Sequence, residues 1–432
     1  MNRVLAPLLT PDRRTILSNS SYLVATTVVT AGLGFAYWWV AARRFSPQEV
    51  GLAAAAVSAM TLLGNIAMLG FGTLLIAELH RRGDRAVAYV ATALLVSCAA
   101  GGVLGVGALL LAPWATAELA SLARDMGGMV LFPLGVALTA ASLVVDQALI
   151  GLLRGGTQFR RNAVFAVSKL ALLAAAAIAV GGASSVTIFA TWVAGLLMSM
   201  LFVVALGLRH ERRAQRFRPD AEILRHLGRG MFQHHALNMA AQATGLALPV
   251  VVATALSATA AGYFYVASMM AGFVSVAAPA LGITLYAVAS RSPSGLPHAM
   301  RLTLVLSFLI TGAGCVAAVV AGRSLLSMFG SGYAAAGTAP LIVLTLATLP
   351  GIIKVHFIQV YRVAGRIGTA AAIISAAALL ELSAASIGAR HGGLVGLSYW
   401  YLGAVLLEAG LMSPLVLRAA GFRRSSPVVG VI

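Results

Sequence analysis

Runs of about twenty apolar residues recur twelve times along the chain, separated by short polar breaks, and this spacing constrains the fold more than any other feature. They cover residues 18–42, 51–77, 86–111, 128–152, 163–180, 186–208, 231–256, 262–289, 302–321, 338–359, 369–388 and 394–417. A hydrocarbon core about 30 Å thick is crossed by roughly 20 helical residues. The runs are rich in Ala, Leu, Val and Gly and lack the polar and apolar alternation of a membrane-spanning strand. Because helices satisfy their own backbone groups in lipid, the sequence predicts an all-α integral membrane protein with twelve transmembrane helices. Composition agrees: 60% of residues are hydrophobic and 10% are charged, where soluble domains carry roughly 25% charged residues.

A net charge of +18 invites a nucleic-acid reading, and the placement of the charges argues against it. Of the 30 Lys and Arg, 23 fall at the N-terminus and in every second loop, five fall in the intervening loops, and two lysines lie inside spans. This bias is the positive-inside pattern of a multi-pass protein of the cell membrane, with both termini expected in the cytoplasm. The longest hydrophilic run, Arg209 to Gly230, carries seven arginines against three carboxylates near the middle of the chain. It reads as a cytoplasmic basic linker (209–230) between an N-lobe of helices 1–6 (1–208) and a C-lobe of helices 7–12 with a short tail (231–432). Its arginines suit topology anchoring and contact with anionic membrane lipids. Cys98 and Cys315 both fall inside spans, so no disulfide framework is expected.

The two halves repeat each other. Without gaps, Ser46 aligns with Ser257 and Gly51 with Gly262, so each half opens with a helix, an S-x-x-x-x-G turn and a second helix. The serine is placed to cap the following helix, and the glycine to let the chain turn into it. Asp146 lies eight residues before Arg154, and Lys354 eight before Arg362. Both therefore sit on the order of 12 Å inside the cytoplasmic end at 1.5 Å per residue. Six spans return the chain to its starting side, which gives two lobes of one orientation, as in parallel-repeat transporters.

Three stretches, YWWVAARRFSPQEVG, DQALIGLLRGGTQFRRNAVFAVSKL and SMFGSGYAAAGTAPLIVLTLATLP with the following VYRVAGRIG, resemble the polysaccharide-biosynthesis flippases. These include the O-antigen flippases of the multidrug/oligosaccharidyl-lipid/polysaccharide exporter superfamily, and the resemblance runs from about residue 18 to 417. It implies two pseudo-symmetric six-helix lobes forming a V around a central cavity, and alternating access. It also implies export of a lipid-linked oligosaccharide, with a polysaccharide polymerase and glycosyltransferases as partners and no cofactor. Drug exporters of the superfamily use an acidic residue early in the first helix, and here no carboxylate lies in span one before Glu49.

A lipid-linked sugar presents a pyrophosphate and a glycan to the membrane, so cations and hydrogen-bonding side chains within spans are the candidates for contact. Ionisable residues at that depth cost about 3 kcal/mol each and default to a functional reading. Lys169 and Lys354, the chain's only lysines, come first. Lys169 lies eight residues after Arg161, at the depth of Asp146, so an Asp146–Lys169 ion pair across spans four and five competes with substrate contact. Lys354 shows no carboxylate of its own half at matching depth and has His356 and Gln359 nearby. Asn65, Gln147, Asn238 and Gln242 line the cavity or make interhelical hydrogen bonds. Arg43 and Arg44 end span one as snorkelling anchors or as an exit site for pyrophosphate, beside Tyr37, Trp38 and Trp39, which fit the interfacial aromatic belt. Glu381 and Glu408 are candidates for cation coupling. His234 and His235 suit headgroup level, a proton-coupling role or phosphate contact, and as adjacent helical residues they make a poor metal pair.

Two other classes compete. A membrane-embedded glycan polymerase or ligase needs a substantial external domain with acid, base or arginine groups, and the longest external segments, around 112–127 and 322–337, are short. The nearer rival is a cation-coupled small-molecule or drug exporter of the same superfamily.

Overall fold

The computed structural model of the chain describes residues 11–79, 85–115, 126–179, 184–210, 223, 228–291 and 295–422. Most of the basic linker therefore lies outside the described residues. Those residues are overwhelmingly helical and hold no strand. In chain order the helices are α1 (Pro11–Arg44), α2 (Pro47–Ala67), α3 (Phe71–Glu78), α4 (Ala86–Ala115), α5 (Met126–Gly151), α6 (Gly155–Ala179) and α7 (Ser185–His210). They continue with α8 (Arg229–Ala255), α9 (Ala258–Ser275), α10 (Ala277–Arg291), α11 (Leu296–Ser327), α12 (Ser331–Val363) and α13 (Ile367–Ala419).

Eleven helical stretches among the described residues are long and apolar enough to cross a membrane, and the last, α13, runs for 53 residues. That length suits two crossings, and α13 leaves helical geometry at Gly392 and Gly393. Gly393 takes φ 59° and ψ −144°, a conformation essentially closed to side-chain-bearing residues. The predicted spans eleven and twelve are the two arms of this hairpin. Span two is also interrupted. The chain passes through Leu69 and Gly70, both at positive φ (49° and 90°), before α3 resumes. Proline sits inside α5, α8, α12 and α13, as membrane helices tolerate.

By packing, the chain divides into two compact units. Unit 1 takes residues up to Phe45 and Ala59–His235, and unit 2 takes Ser46–Ser58 and the residues from Ala236 onwards. The core of unit 1 joins Phe71, Leu74 and Leu75 of α3 to Tyr89 and Ala93 of α4 and to Val144 and Ala148 of α5. Unit 2 packs Leu237 of α8, Leu285 of α10, Met300 of α11 and Ile352 of α12 against Ile374 and Val416 of α13.

The repeated serines cap helices as the sequence predicts. Ser46 accepts from the Glu49 amide at 3.2 Å, and Ser257, the N-cap of α9, accepts from the Ala260 amide at 3.1 Å. The glycines do something else. Gly51 and Gly262 lie inside α2 and α9, not in the turns. Within unit 2 a Cβ on Gly51 would collide with the Ala258 carbonyl, and a Cβ on Gly262 with the Pro47 carbonyl. The repeated positions thus meet each other, and each glycine is required by the close approach of the other's backbone.

Candidate functional site

Unit 2 buries a cluster of charges. Lys354, in the last third of α12, donates to Glu381 and, at 3.0 Å, to Oε2 of Glu408. Glu381 also accepts from the Thr244 hydroxyl of α8 at 2.5 Å. The side chains of Glu381 and Glu408 are only 3% and 4% exposed, and that of Lys354 is 18% exposed. On a straight helix Glu381 and Glu408 would stand roughly 40 Å apart, so their meeting on one ammonium depends on the α13 hairpin. Oε1 of Glu408 is buried without a hydrogen-bond partner among the described residues. The two carboxylates outnumber the one ammonium, and Tyr401 lies within electrostatic reach of both.

This corrects the expectation that Lys354 lacks a carboxylate in its own half. Counting residues from the membrane boundary assumes straight helices and short side chains. Lysine and glutamate side chains are long, and their charged ends meet here across a difference in depth that such a count treats as a mismatch.

The expected Asp146–Lys169 pair does not form. Asp146 instead pairs with Arg161 at 3.1 Å. Asn162 donates to the other carboxylate oxygen at 3.1 Å, and Arg161 also reaches the Ser142 hydroxyl at 2.5 Å and its carbonyl at 3.2 Å. Spacing alone puts Arg161 among the loop charges, yet it is 1% exposed inside α6. The tight turn between α5 and α6 explains the change of partner. Asp146 and Arg161 stand at nearly equal distances from that turn on adjoining antiparallel helices, while Lys169 lies two turns further along.

Lys169 is 3% exposed and sits in an aromatic cage. Its Nζ is 3.4 Å from the ring centroid of Trp192 (α7), 4.6 Å from Phe165 (α6) and 5.1 Å from Tyr37 (α1). Among the described residues no carboxylate pairs with it. Tyr37 and Trp38 are core residues, 0% and 2% exposed, which corrects their assignment to an interfacial belt. The Tyr37 hydroxyl is bound to the Ile188 carbonyl at 2.7 Å and to the Thr191 hydroxyl at 2.9 Å. Trp39 is 37% exposed.

The other predicted positions are dispersed. Asn65 is buried and donates to the Thr61 carbonyl of its own helix at 2.8 Å. Gln147 lies against Gly72 of α3. Asn238 accepts from Arg362 at 2.7 Å, and Gln242 donates to the Asn238 carbonyl at 3.3 Å. Gln359 is buried, with Oε1 unpartnered among the described residues. His235 is buried and meets the Ile66 backbone, while His234 beside it is half-buried. Arg43 and Arg44 are exposed in the last turn of α1. His356 is fully buried between the Ile352 carbonyl (2.8 Å) and Thr303 (3.1 Å).

No protein-family model matches the chain, and no curated protein matches it in sequence. Solved structures share its fold across nearly the whole length. The lipid II flippase MurJ in an inward closed conformation aligns with a TM-score of 0.68 at 13% identity over 94% of each chain. The MATE multidrug transporter DinF-BH aligns with a TM-score of 0.68 at 15% identity, over 95% of this chain and 97% of that one. An inward-facing multidrug resistance MATE family transporter of the MOP superfamily gives 0.64 at 16% identity, over 92% and 96%. At these identities the likeness is one of fold. The chain is a multi-pass, all-α membrane protein with the fold of the MOP superfamily transporters.

Proposed function

We propose that the protein is a flippase that carries a lipid-linked oligosaccharide, sugars on a polyprenyl pyrophosphate, across the cytoplasmic membrane for cell-surface polysaccharide synthesis. It does so by exposing a polar interior to one side of the membrane at a time. The fold alone does not choose the cargo, since MurJ and the MATE transporters share it.

The observation that carries the reading is the sign of the charge inside unit 1. Its buried basic side chains among the described residues are Arg161, which Asp146 neutralises, and Lys169, which no described carboxylate balances. While the Lys169 amine is protonated, its unbalanced charge acts on another roughly 10 Å away with on the order of 2 kcal/mol at an effective dielectric near 20. That field favours a pyrophosphate and opposes a cationic drug. The Lys354–Glu381–Glu408 cluster of unit 2 is the coupling site: with both carboxylates ionised it carries one excess negative charge, which a proton or monovalent cation neutralises. Glycosyltransferases that build the cargo and a polymerase that consumes it are the functional partners.

The buried carboxylates of unit 2 favour a second reading, a cation-coupled exporter of small molecules or drugs. Deleting the gene separates the two. Loss of surface-glycan staining with unchanged tolerance of toxic organic cations supports the flippase. Intact glycan with increased sensitivity to those cations supports the exporter.

A further inference from the structure

Lys169 is an unusual occupant for the place it holds. An ammonium carries three N–H donors, yet the groups around this one are the faces of three aromatic rings, all within the roughly 6 Å over which a cation is attracted to a ring. The rings come from three helices and are held before any cation is considered. Tyr37 is fixed by its hydroxyl bonds to Ile188 and Thr191. Trp192 is braced edge-on by Tyr37 at 5.2 Å and by Phe165 at 5.7 Å, with Trp38 at 5.8 Å. The lysine stem has its own space: a Cβ at Gly195 of α7 would come within 2.8 Å of the Lys169 Cβ. A rigid, buried ring cluster is how proteins recognise quaternary ammonium ligands, and a primary ammonium is drawn to ring faces by the same electrostatics.

We propose that Tyr37, Phe165 and Trp192 form an organic-cation site that the chain fills with its own Lys169, and that removing the lysine opens this site to a small primary alkylammonium ion. A hydrophobic cation that reaches unit 1 finds the cage occupied and meets a like charge. Lys169 is in this sense a built-in ligand that sets selectivity against organic cations, whatever the protein's cargo.

The test uses the full-length protein purified in detergent, with n-propylammonium as the probe because it supplies the atoms that Lys169→Ala removes beyond Cβ. Thermal unfolding and tryptophan fluorescence are read against probe concentration, with 1-propanol as the neutral isostere and sodium chloride as the ionic control. Lys169→Ala should unfold several degrees below the parent protein. n-Propylammonium should raise its midpoint and change its fluorescence saturably, with at least tenfold higher affinity than 1-propanol. The parent protein and Lys169→Met, whose apolar stem fills the space, should not respond. An equal response to amine and alcohol, or no greater response in Lys169→Ala than in the parent, overturns the proposal. Should Lys169→Ala not yield folded protein, recovery of monodisperse protein during solubilisation is compared with each additive. Recovery with the amine alone supports the site, and recovery with both or with neither overturns it.

Discussion

Arg161 is held inside α6 by Asp146, Asn162 and Ser142, and removing its counter-charge leaves a cation in a place built for a pair. Breaking a buried ion pair from one side costs about 3–5 kcal/mol, so Asp146→Asn is expected to lower the unfolding midpoint clearly in detergent. The double exchange Asp146→Arg with Arg161→Asp should recover part of that loss, whereas Asp146→Lys with Lys169→Asp should recover none. The residue types at these positions are legible in the sequence, but the partner is not. Depth counted from the nearest arginine misleads here, because Arg161 is itself part of the buried pair and marks no membrane boundary. In unit 2, Glu408→Gln keeps the Lys354–Glu381 contact while removing one carboxylate charge. It is expected to leave the fold intact and to abolish the response of transport to an imposed proton or sodium gradient. A gradient response equal to that of the parent protein would remove Glu408 from the coupling site.

At the scale of elements, the hairpin in α13 and the crossing of α2 with α9 both rest on glycine. Gly393→Val forces a β-branched residue into φ 59° and ψ −144°, a strain of order 1–3 kcal/mol. Its expected result is lowered thermal stability, together with loss of gradient coupling, because the bend brings Glu381 and Glu408 to the same lysine. Gly51→Ala places a methyl group on the Ala258 carbonyl and should cost about 1–3 kcal/mol through overpacking. Gly32→Ala in α1, with nothing within 4 Å of the added atom, is the neutral control. The repeat of Ser46 with Ser257 and of Gly51 with Gly262 is visible from spacing alone, and the serine caps follow from local chemistry. That the two glycines meet each other cannot be read from the sequence, because local spacing carries no information about which helices cross.

Across the whole molecule, hydropathy suffices to define the class: apolar runs of bilayer length leave helices as the only consistent structure, and the fold of the MOP superfamily transporters agrees. The aromatic cage is not legible at that level, since Tyr37 and Trp38 near a helix end look like an interfacial belt until α7 is brought against them. The fold does not choose between cargoes, since a lipid II flippase and a multidrug transporter share it, but transport itself can be observed directly. Proteoliposomes holding the purified protein and a fluorescent polyprenyl-pyrophosphate oligosaccharide in both leaflets are treated with a membrane-impermeant quencher. The expected result is quenching that proceeds past the outer-leaflet fraction at a rate set by the amount of protein. Quenching that halts at that fraction, in vesicles that nonetheless transport a cationic dye, would contradict it.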